Sequence, residues 1–473
     1  MNVASLSDLT LIWPELILCI FSFIFLLVGH RIQNLPQISL LAVFSVLAAG
    51  LASGWVLTPS SQTGFGGMIV VDSYSQFFKV LITVALALVI ILSVRPVGTM
   101  RFRFAEYHAL LLLASIGMMF AVSALDLLTL YLGLELMTLC SYSLVGITVE
   151  KRRSNEAAIK YFLVASFASA FLLYGIALVY GTTGSTAFTE IAETLSKENL
   201  GSNPILLVGI GLLVAGLTFK IAAVPFHAWA PDANQGASVP VAAFLATAAK
   251  VSGLAVLGRI SLIAFVSEAD VLALILAVIA ALSIVFGSFV ILAQTNMKRL
   301  LAYSSISHAG YALLGLISGT PEGISSTMVY AFLYVFMTLG AFGIVIALGS
   351  RGETLKGFRG LAEQRPGIAA LMMLFLLSLT GIPPTAGFSA KFGVILSVVR
   401  EGYLSLAVLA VVCSVISAFV YLRIGVLMYM HKAHDVEPQS YSFAVSFALV
   451  LAALVTVIGG VFPGSLMSWT VAP

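Results

Sequence analysis

Four ionisable residues stand in the middle of long apolar stretches. They are Glu135 in LTLYLGLELMTLCSY, Lys220 in GLTFKIAAVPF, Lys250 in FLATAAKVSGLAV and Lys391 in SLTGIPPTAGFSAKFG. In water lysine titrates at about 10.4 and glutamate at about 4.3. Withdrawal from water disfavours the charged form of either group, so each type can then exchange a proton near working pH. A carboxylate beside a lysine holds the lysine's proton, and moving that charge away releases it. A row of such lysines, bridged by histidine and water, is a proton wire whose occupancy is set electrostatically.

The neighbours of these residues argue for interior positions. Tyr131, Thr138 and Tyr142 lie at i−4, i+3 and i+7 from Glu135, on one helical face. The plainer alternative for Glu135 is a structural ion pair. Lys250 has Thr247 at i−3 and is too central for its ammonium to reach a headgroup. In YSSISHAGYALL, Ser304 and Tyr311 stand at i−4 and i+3 from His308. His308 is read as a proton relay or as a satisfied interior histidine. Tyr303 and Tyr311 are further hydroxyls for such a relay. Lys160 either admits protons near one surface or extends its ammonium into that surface. Arg259 is read as an anchor at a helix end, and Asp72 and Asp126 as helix caps. Lys79 and Arg423 carry no firm role.

Composition sets the environment. Only 9% of the 473 residues are Asp, Glu, Lys or Arg, and 60% are hydrophobic. Soluble domains carry about 25% charged residues, so a water-soluble enzyme is excluded, as is a polar disordered chain. The net charge of +3, with no basic stripe, excludes nucleic-acid binding. Cys19, Cys140 and Cys413 are dispersed in apolar runs and form no redox or iron–sulfur spacing. No second His, Cys or carboxylate gives metal-ligand spacing. There is no phosphate-binding glycine loop, and Gly209 and Gly211 read as packing residues. No basic n-region precedes the first apolar run, which is read as a retained helix. The chain is expected to hold no nucleotide, metal or redox centre of its own.

The fold expected is all-α and polytopic. A bilayer span needs about 20 apolar residues, and fourteen runs qualify: 11–29, 38–57, 73–94, 106–124, 126–148, 157–180, 204–229, 238–265, 270–293, 300–317, 324–349, 366–398, 404–430 and 442–467. The runs are continuous rather than alternating, which excludes a β-barrel. Connections after odd-numbered helices carry 14 Lys or Arg, among them Arg101, Arg103 and Arg299. Connections after even-numbered helices, with both termini, carry only Lys197 and Arg400. That asymmetry places both termini outside, in the periplasm of a bacterium. Seven basic residues remain within the spans: Lys79, Lys160, Lys220, Lys250, Arg259, Lys391 and Arg423. A charge at mid-span costs roughly 2.5–3.5 kcal/mol on insertion scales, which a scaffold has little reason to accept repeatedly.

Two spans contain strong breakers. The seventh has Pro225 and Pro231, with His227 between them, and the twelfth has Gly381, Pro383, Pro384 and Gly387. Proline removes a donor and interrupts the helix, and such backbone is tolerated at membrane depth only in an interior or beside water. His227 either caps its break or relays protons. Each break is fourth in a set of five helices, 4–8 and 9–13. Five is odd, so the second set must be inverted, a recurrent plan in transporters. The expected units are residues 1–104 (helices 1–3), 105–265 (first repeat), 266–430 (inverted second repeat) and 431–473 (helix 14). Two unrelated proline kinks are the alternative.

The stretches LGLELMTL, EAAIKYFLVASFASAFLLYGIALVYG, GLTFKIAAVPFHAWAPDANQGASVPVAAFLATAAK, QTNMKRLLAYSSISHAGY and SLTGIPPTAGFSAKF resemble the antiporter-like membrane subunits of respiratory complex I, which are related to Mrp-type cation/proton antiporters. The resemblance covers nearly the whole chain. The largest such subunit adds a long lateral helix after helix 14, whereas this chain ends at Pro473; the middle one has glutamate where this chain has Lys391. The resemblance implies that Glu135 modulates Lys220, that Lys250 links two half-channels and that Lys391 serves the outer exit. It also implies partners: a neighbouring antiporter-like subunit, small membrane subunits, and a peripheral arm with flavin and iron–sulfur clusters. Flavin, clusters and quinone belong to those partners. Helix 13 has no lysine matching Lys250, so the second half-channel is less complete.

The expectation is a proton-translocating membrane subunit of a quinone reductase, a translocase component driven by quinone reduction elsewhere. The rivals are a structural subunit of a related ferredoxin- or deazaflavin-driven complex and a stand-alone cation/proton antiporter.

Overall fold

In lipid a spanning segment must satisfy its own backbone hydrogen bonds, so long apolar runs become helices. The computed structural model describes residues 6–31, 35–55, 61–98, 104–198, 200–432, 442–467 and 470. Arg101, Arg103 and both chain ends lie outside the described residues. Each of the fourteen apolar runs carries a helix. These are α1 (Trp13–Val28), α2 (Leu35–Trp55), α3 (Ser73–Gly98), α4 (Phe104–Ser123), α5 (Leu127–Val145) and α6 (Arg152–Thr183). There follow α7a (Pro204–Lys220) and α7b (Trp229–Gly236), α8a (Val239–Ala246) and α8b (Ala248–Ile263), α9 (Ala269–Val290), α10 (Met297–Ile317) and α11 (Pro321–Leu348). Last come α12a (Pro366–Thr380) and α12b (Ala386–Arg400), α13 (Leu404–Met430) and α14 (Phe443–Val461). Among the described residues, eleven helices are long and apolar enough to cross a membrane; α1, α7a and α12a are shorter apolar helices.

Among the described residues three spans are interrupted, one more than the breakers predict. The runs at helices 7 and 12 divide where proline and glycine stand. The run at helix 8, expected to be continuous, divides at Thr247 (φ −117°, ψ −83°). No proline marks this break. The Thr247 hydroxyl bonds back to the Ala243 carbonyl at 2.7 Å, competing with the helical ladder. Tyr334 of α11 donates to the freed Ala246 carbonyl at 2.9 Å. By contrast α13 is an unbroken helix of 27 residues.

Close approach of backbones sets the packing. A Cβ on Gly117 of α4 would lie 2.5 Å from the Gly133 carbonyl of α5, so only glycine lets these helices touch. α8, α10 and α11 are almost wholly buried, and they form the centre. α6 and α13 present Phe167, Phe171, Val415 and Phe419 outward, as lipid- or partner-facing surfaces do.

The basic connections gather at one end. Lys298 pairs with Glu353 at 3.3 Å, and Asp232 binds both Arg299 at 2.5 Å and Lys160 at 3.5 Å. The opposite end adds a small hairpin, β1 (Gln62–Gly64) with β2 (Ile69–Val71), to the all-α plan. A surface helix over Phe188–Glu198 lies beside it, with Phe188, Ile191 and Leu195 turned inward. Asp126 caps α5 as expected, accepting from the Leu128 and Thr129 amides. Arg259 is not a surface anchor. Its side chain is 1% exposed, and its two terminal nitrogens donate to the Asp72 carboxylate at 2.8 Å each. Its Nε donates to the Val122 carbonyl. A planar guanidinium suits this fork, and a buried one needs it.

Candidate functional site

The site begins where α7a stops. Lys220 is the last residue of α7a, and its side chain is 1% exposed. Its ammonium donates to Glu135 Oε1 at 3.0 Å and to Thr138 Oγ1 at 2.7 Å, both on α5. Ser169 of α6 donates to the same Glu135 oxygen at 2.6 Å. Thr138 is thus the member of the Glu135 face that touches the lysine; Tyr131 and Tyr142 stand nearby on α5. Two backbone groups at the break find side-chain partners. Trp229 Nε1 donates to the Phe219 carbonyl at 3.1 Å, and the Val224 amide donates to Ser283 Oγ of α9 at 2.9 Å. The His227 ring is half-buried against Phe286 at 4.4 Å, and its Nδ1 has no partner among the described residues. Pro231 falls in the first turn of α7b, where a missing N–H costs nothing. Ser283→Ala leaves the buried Val224 amide unpaired, a loss of about 1–3 kcal/mol. The heat-inactivation midpoint of the membrane-embedded protein is expected to fall; an unchanged midpoint counts against this account of the break.

Lys250 follows on the next helix. Gly253, one turn beyond it, packs on Ile221 and on the Lys220 stem, where a Cβ would lie 3.6 Å from Lys220 Cβ. The Lys250 ammonium donates to the carbonyl and hydroxyl of Ser305 on α10. Tyr334 Oη lies 2.8 Å from the same hydroxyl. The break at Thr247 therefore frees a carbonyl that holds the tyrosine beside the lysine.

α10 carries the row onward. Ser305, His308 and Tyr311 recur every three residues on one face. His308 Nδ1 lies 2.6 Å from Tyr330 Oη, and its ring centroid lies 5.4 Å from that of Tyr334. The Tyr311 ring is 6.1 Å from His308, and its hydroxyl donates to the Ala410 carbonyl. Ser304, expected on the same stripe, instead bonds Tyr421 at 2.6 Å; Ser305 takes its place.

Lys391 ends the row. Its ammonium sits 4.4 Å above the Tyr311 ring, a cation–π contact. It donates to the Thr380 carbonyl and to Ser414 Oγ, each at 2.9 Å. Thr380 is the last residue of α12a, so the ammonium meets the negative end of a half-helix. Gly381 closes that end at φ +90°, the left-handed region glycine favours. Pro383 and Pro384 follow it, and α12b then brings Lys391 back beside the same carbonyl.

Glu135, 22% exposed, and the buried Lys220, Lys250, His308, Tyr311 and Lys391 are therefore brought into one succession. Lys160 and Tyr303 stand apart from it. Lys160 is half-exposed between Glu156 and Asp232, and the Tyr303 ring faces Arg299 at 6.0 Å. Sequence reasoning missed Ser169, Ser305, Tyr330, Tyr334 and Ser414. Ser305, at i−3 from His308, was open to a spacing rule; the other four were not, since each meets its partner from another helix. No group of three or more His, Cys, Asp or Glu that could hold a metal occurs among the described residues.

Buried lysines set among broken helices mark a polytopic membrane protein that keeps ionisable groups inside its helix bundle. Comparison with known proteins gives the particular kind. The chain belongs to the NADH:quinone oxidoreductase/Mrp antiporter transmembrane family, whose model matches residues 124–417. It is 42% identical over 455 residues to NADH-quinone oxidoreductase subunit N 2 of Rhizobium meliloti, covering 95% of this chain and 94% of that protein. It is also 42% identical to subunit N of Desulfovibrio desulfuricans, covering 98% and 96%. Among solved structures, a chain of respiratory complex I from Thermus thermophilus aligns with a TM-score of 0.83 at 32% identity, over 96% of this chain and 98% of that one. A chain of the Mrp complex from a Dietzia species shares the fold, with a TM-score of 0.85 at 21% identity, over 98% and 96%.

Proposed function

We propose that this chain moves protons across the membrane as the antiporter-like subunit N of an NADH-quinone oxidoreductase. The observation that carries this reading is the succession Glu135–Lys220–Lys250–Ser305/Tyr334–His308–Tyr311–Lys391 through the buried centre of a chain of this family. Quinone reduction in partner subunits shifts charge along the membrane arm. While the Glu135 carboxylate is near, the Lys220 ammonium keeps its proton. When that influence weakens, the proton passes toward Lys250, and Ser305, His308 and the tyrosines bridge the step to Lys391, which serves the exit. His227 and Lys160 lie on the entry side.

The organisation proposed is residues 1–104, a first repeat over 105–265, an inverted repeat over 266–430, and 431–473. Supporting it, α4 meets α5 through Gly117 and Gly133, while their counterparts α9 and α10 meet closely at Gly287 and Gly310. Both repeats are also broken at their fourth helix. The repeats differ at helices 8 and 13, where only the first has a break and a lysine. The partners are a neighbouring antiporter-like subunit, small membrane subunits and an arm holding flavin, iron–sulfur clusters and the quinone site. The membrane is the bacterial plasma membrane, with both termini periplasmic.

Glu135→Gln and Lys391→Met, tested in fully assembled complexes, are expected to lower the protons moved per NADH oxidised. Wild-type pumping in both variants would sink this reading. Loss of assembly on native gels, with normal pumping by whatever assembles, is the outcome a merely structural subunit predicts.

A further inference from the structure

One buried ion pair takes no part in the row. Glu15 of α1 and Lys79 of α3 approach to 2.7 Å, with side chains 2% and 0% exposed. α1 and α3 both pack on α2 and α4, so the pair lies inside the four-helix group that precedes the remaining helices. Among the described residues neither the carboxylate oxygens nor the ammonium has a hydrogen-bond partner of normal geometry. Two full charges in such a place are expensive unless something further solvates them.

The surroundings of the pair are polar along one line. Gln76, Lys79 and Thr83 fall at i, i+3 and i+7 on α3, all buried. Asp72 stands one turn ahead of Gln76. Gln76 Oε1 is buried without a partner, and so is Ser123 Oγ, next to the Val122 carbonyl that holds Arg259. Orphan polar atoms withdrawn from solvent are where internal water binds. The line therefore leads from Lys79 to the Asp72–Arg259 pair at the hairpin end.

Depth connects this line to the row. α3 packs on both α8a and α8b. Asp72 pairs with Arg259, and Tyr74 Oη donates to the Ala255 carbonyl, so α3 and α8b run antiparallel. Lys79 lies seven residues beyond Asp72, roughly 10 Å along the axis, and Lys250 lies nine residues before Arg259, roughly 13 Å. The two lysine backbones stand at nearly one level, and Glu15 lies on the hairpin side of it.

We propose that Lys79 and Glu15 form an outward branch of the proton path, from the level of Lys250 to the Asp72–Arg259 rim. The Lys79 ammonium gives its proton to the Glu15 carboxylate, so that an N–H bond breaks and an O–H bond forms. Glu15 then loses that proton to water along the line of Gln76 and Asp72, and the Lys79 amine is reloaded from the side of the row.

The branch rests on the reading of the row as a proton path, and the test keeps the two apart. Lys79→Arg retains the pair, but a guanidinium does not release its proton. Glu15→Leu/Lys79→Leu removes both charges and leaves neither unpaired. Each is compared with wild type and Lys220→Ala in the complete complex, in sealed vesicles energised with NADH. The expected result is a loss of pumping rate in Lys79→Arg and in the double variant while quinone reduction continues. Wild-type pumping in Lys79→Arg overturns the branch and leaves the pair a clamp between α1 and α3, whatever the double variant does. Normal pumping in Lys220→Ala overturns the reading of the row instead.

Discussion

Lys220→Ala is expected to slow proton transfer through this chain about a hundredfold, the usual scale for losing a positioned proton-transfer group. The complex should still assemble. Alanine removes a buried ammonium, and Glu135 keeps the Ser169 hydroxyl as a donor and is itself 22% exposed, so no fully buried charge is stranded. Lys220→Arg sharpens the result. It keeps the positive charge beside Glu135 and Thr138 but cannot give up its proton at working pH. If Lys220 only neutralised Glu135, arginine would restore function; if it must release a proton, arginine fails as alanine does. The measurement is the initial rate of proton uptake or release per NADH oxidised in sealed vesicles. Restoration by arginine would remove Lys220 from the path.

Arg259→Ala is expected to have the largest effect on stability, about 3 kcal/mol or more, because it leaves the Asp72 carboxylate and the Val122 carbonyl facing an empty site. The pair joins the start of α3 to the end of α8b, so its loss loosens the first three helices from the rest. Asp72→Leu/Arg259→Leu leaves no unpaired charge and should recover much of that loss. Native gels and heat-inactivation midpoints of the single and double variants read this directly; a double variant no better than the single would refute it. The pair also predicts a response to acid. Burial pushes the Asp72 carboxyl up, but hydrogen bonds and attraction from Arg259, with help from Ser75, outweigh it and hold the group below its ordinary value. Its contribution is therefore complete above the unfolded carboxylate value, and is lost only as pH falls through the lower folded one.

Sequence alone determined much of this protein, for reasons that are local. Continuous apolar runs must become helices in lipid, so the all-α plan and the order of the helices were legible. Proline and glycine act on their own backbone, so the breaks at Pro225 and at Gly381–Pro384 were legible too. A mid-span charge is expensive wherever the chain folds, which singled out Glu135, Lys220, Lys250 and Lys391. What the tertiary structure decided are matters of which helices meet. The break at Thr247 has no breaker residue and depends on Tyr334 reaching across from α11. Ser305, rather than Ser304, faces Lys250 because of how α10 is rotated against α8. Arg259 finds Asp72 from 187 positions away, and Lys79 finds Glu15 inside the same membrane-buried interior. Ionisable residues can be counted in a sequence, but a charge in lipid is tolerable only beside its partner, and partners are chosen by packing.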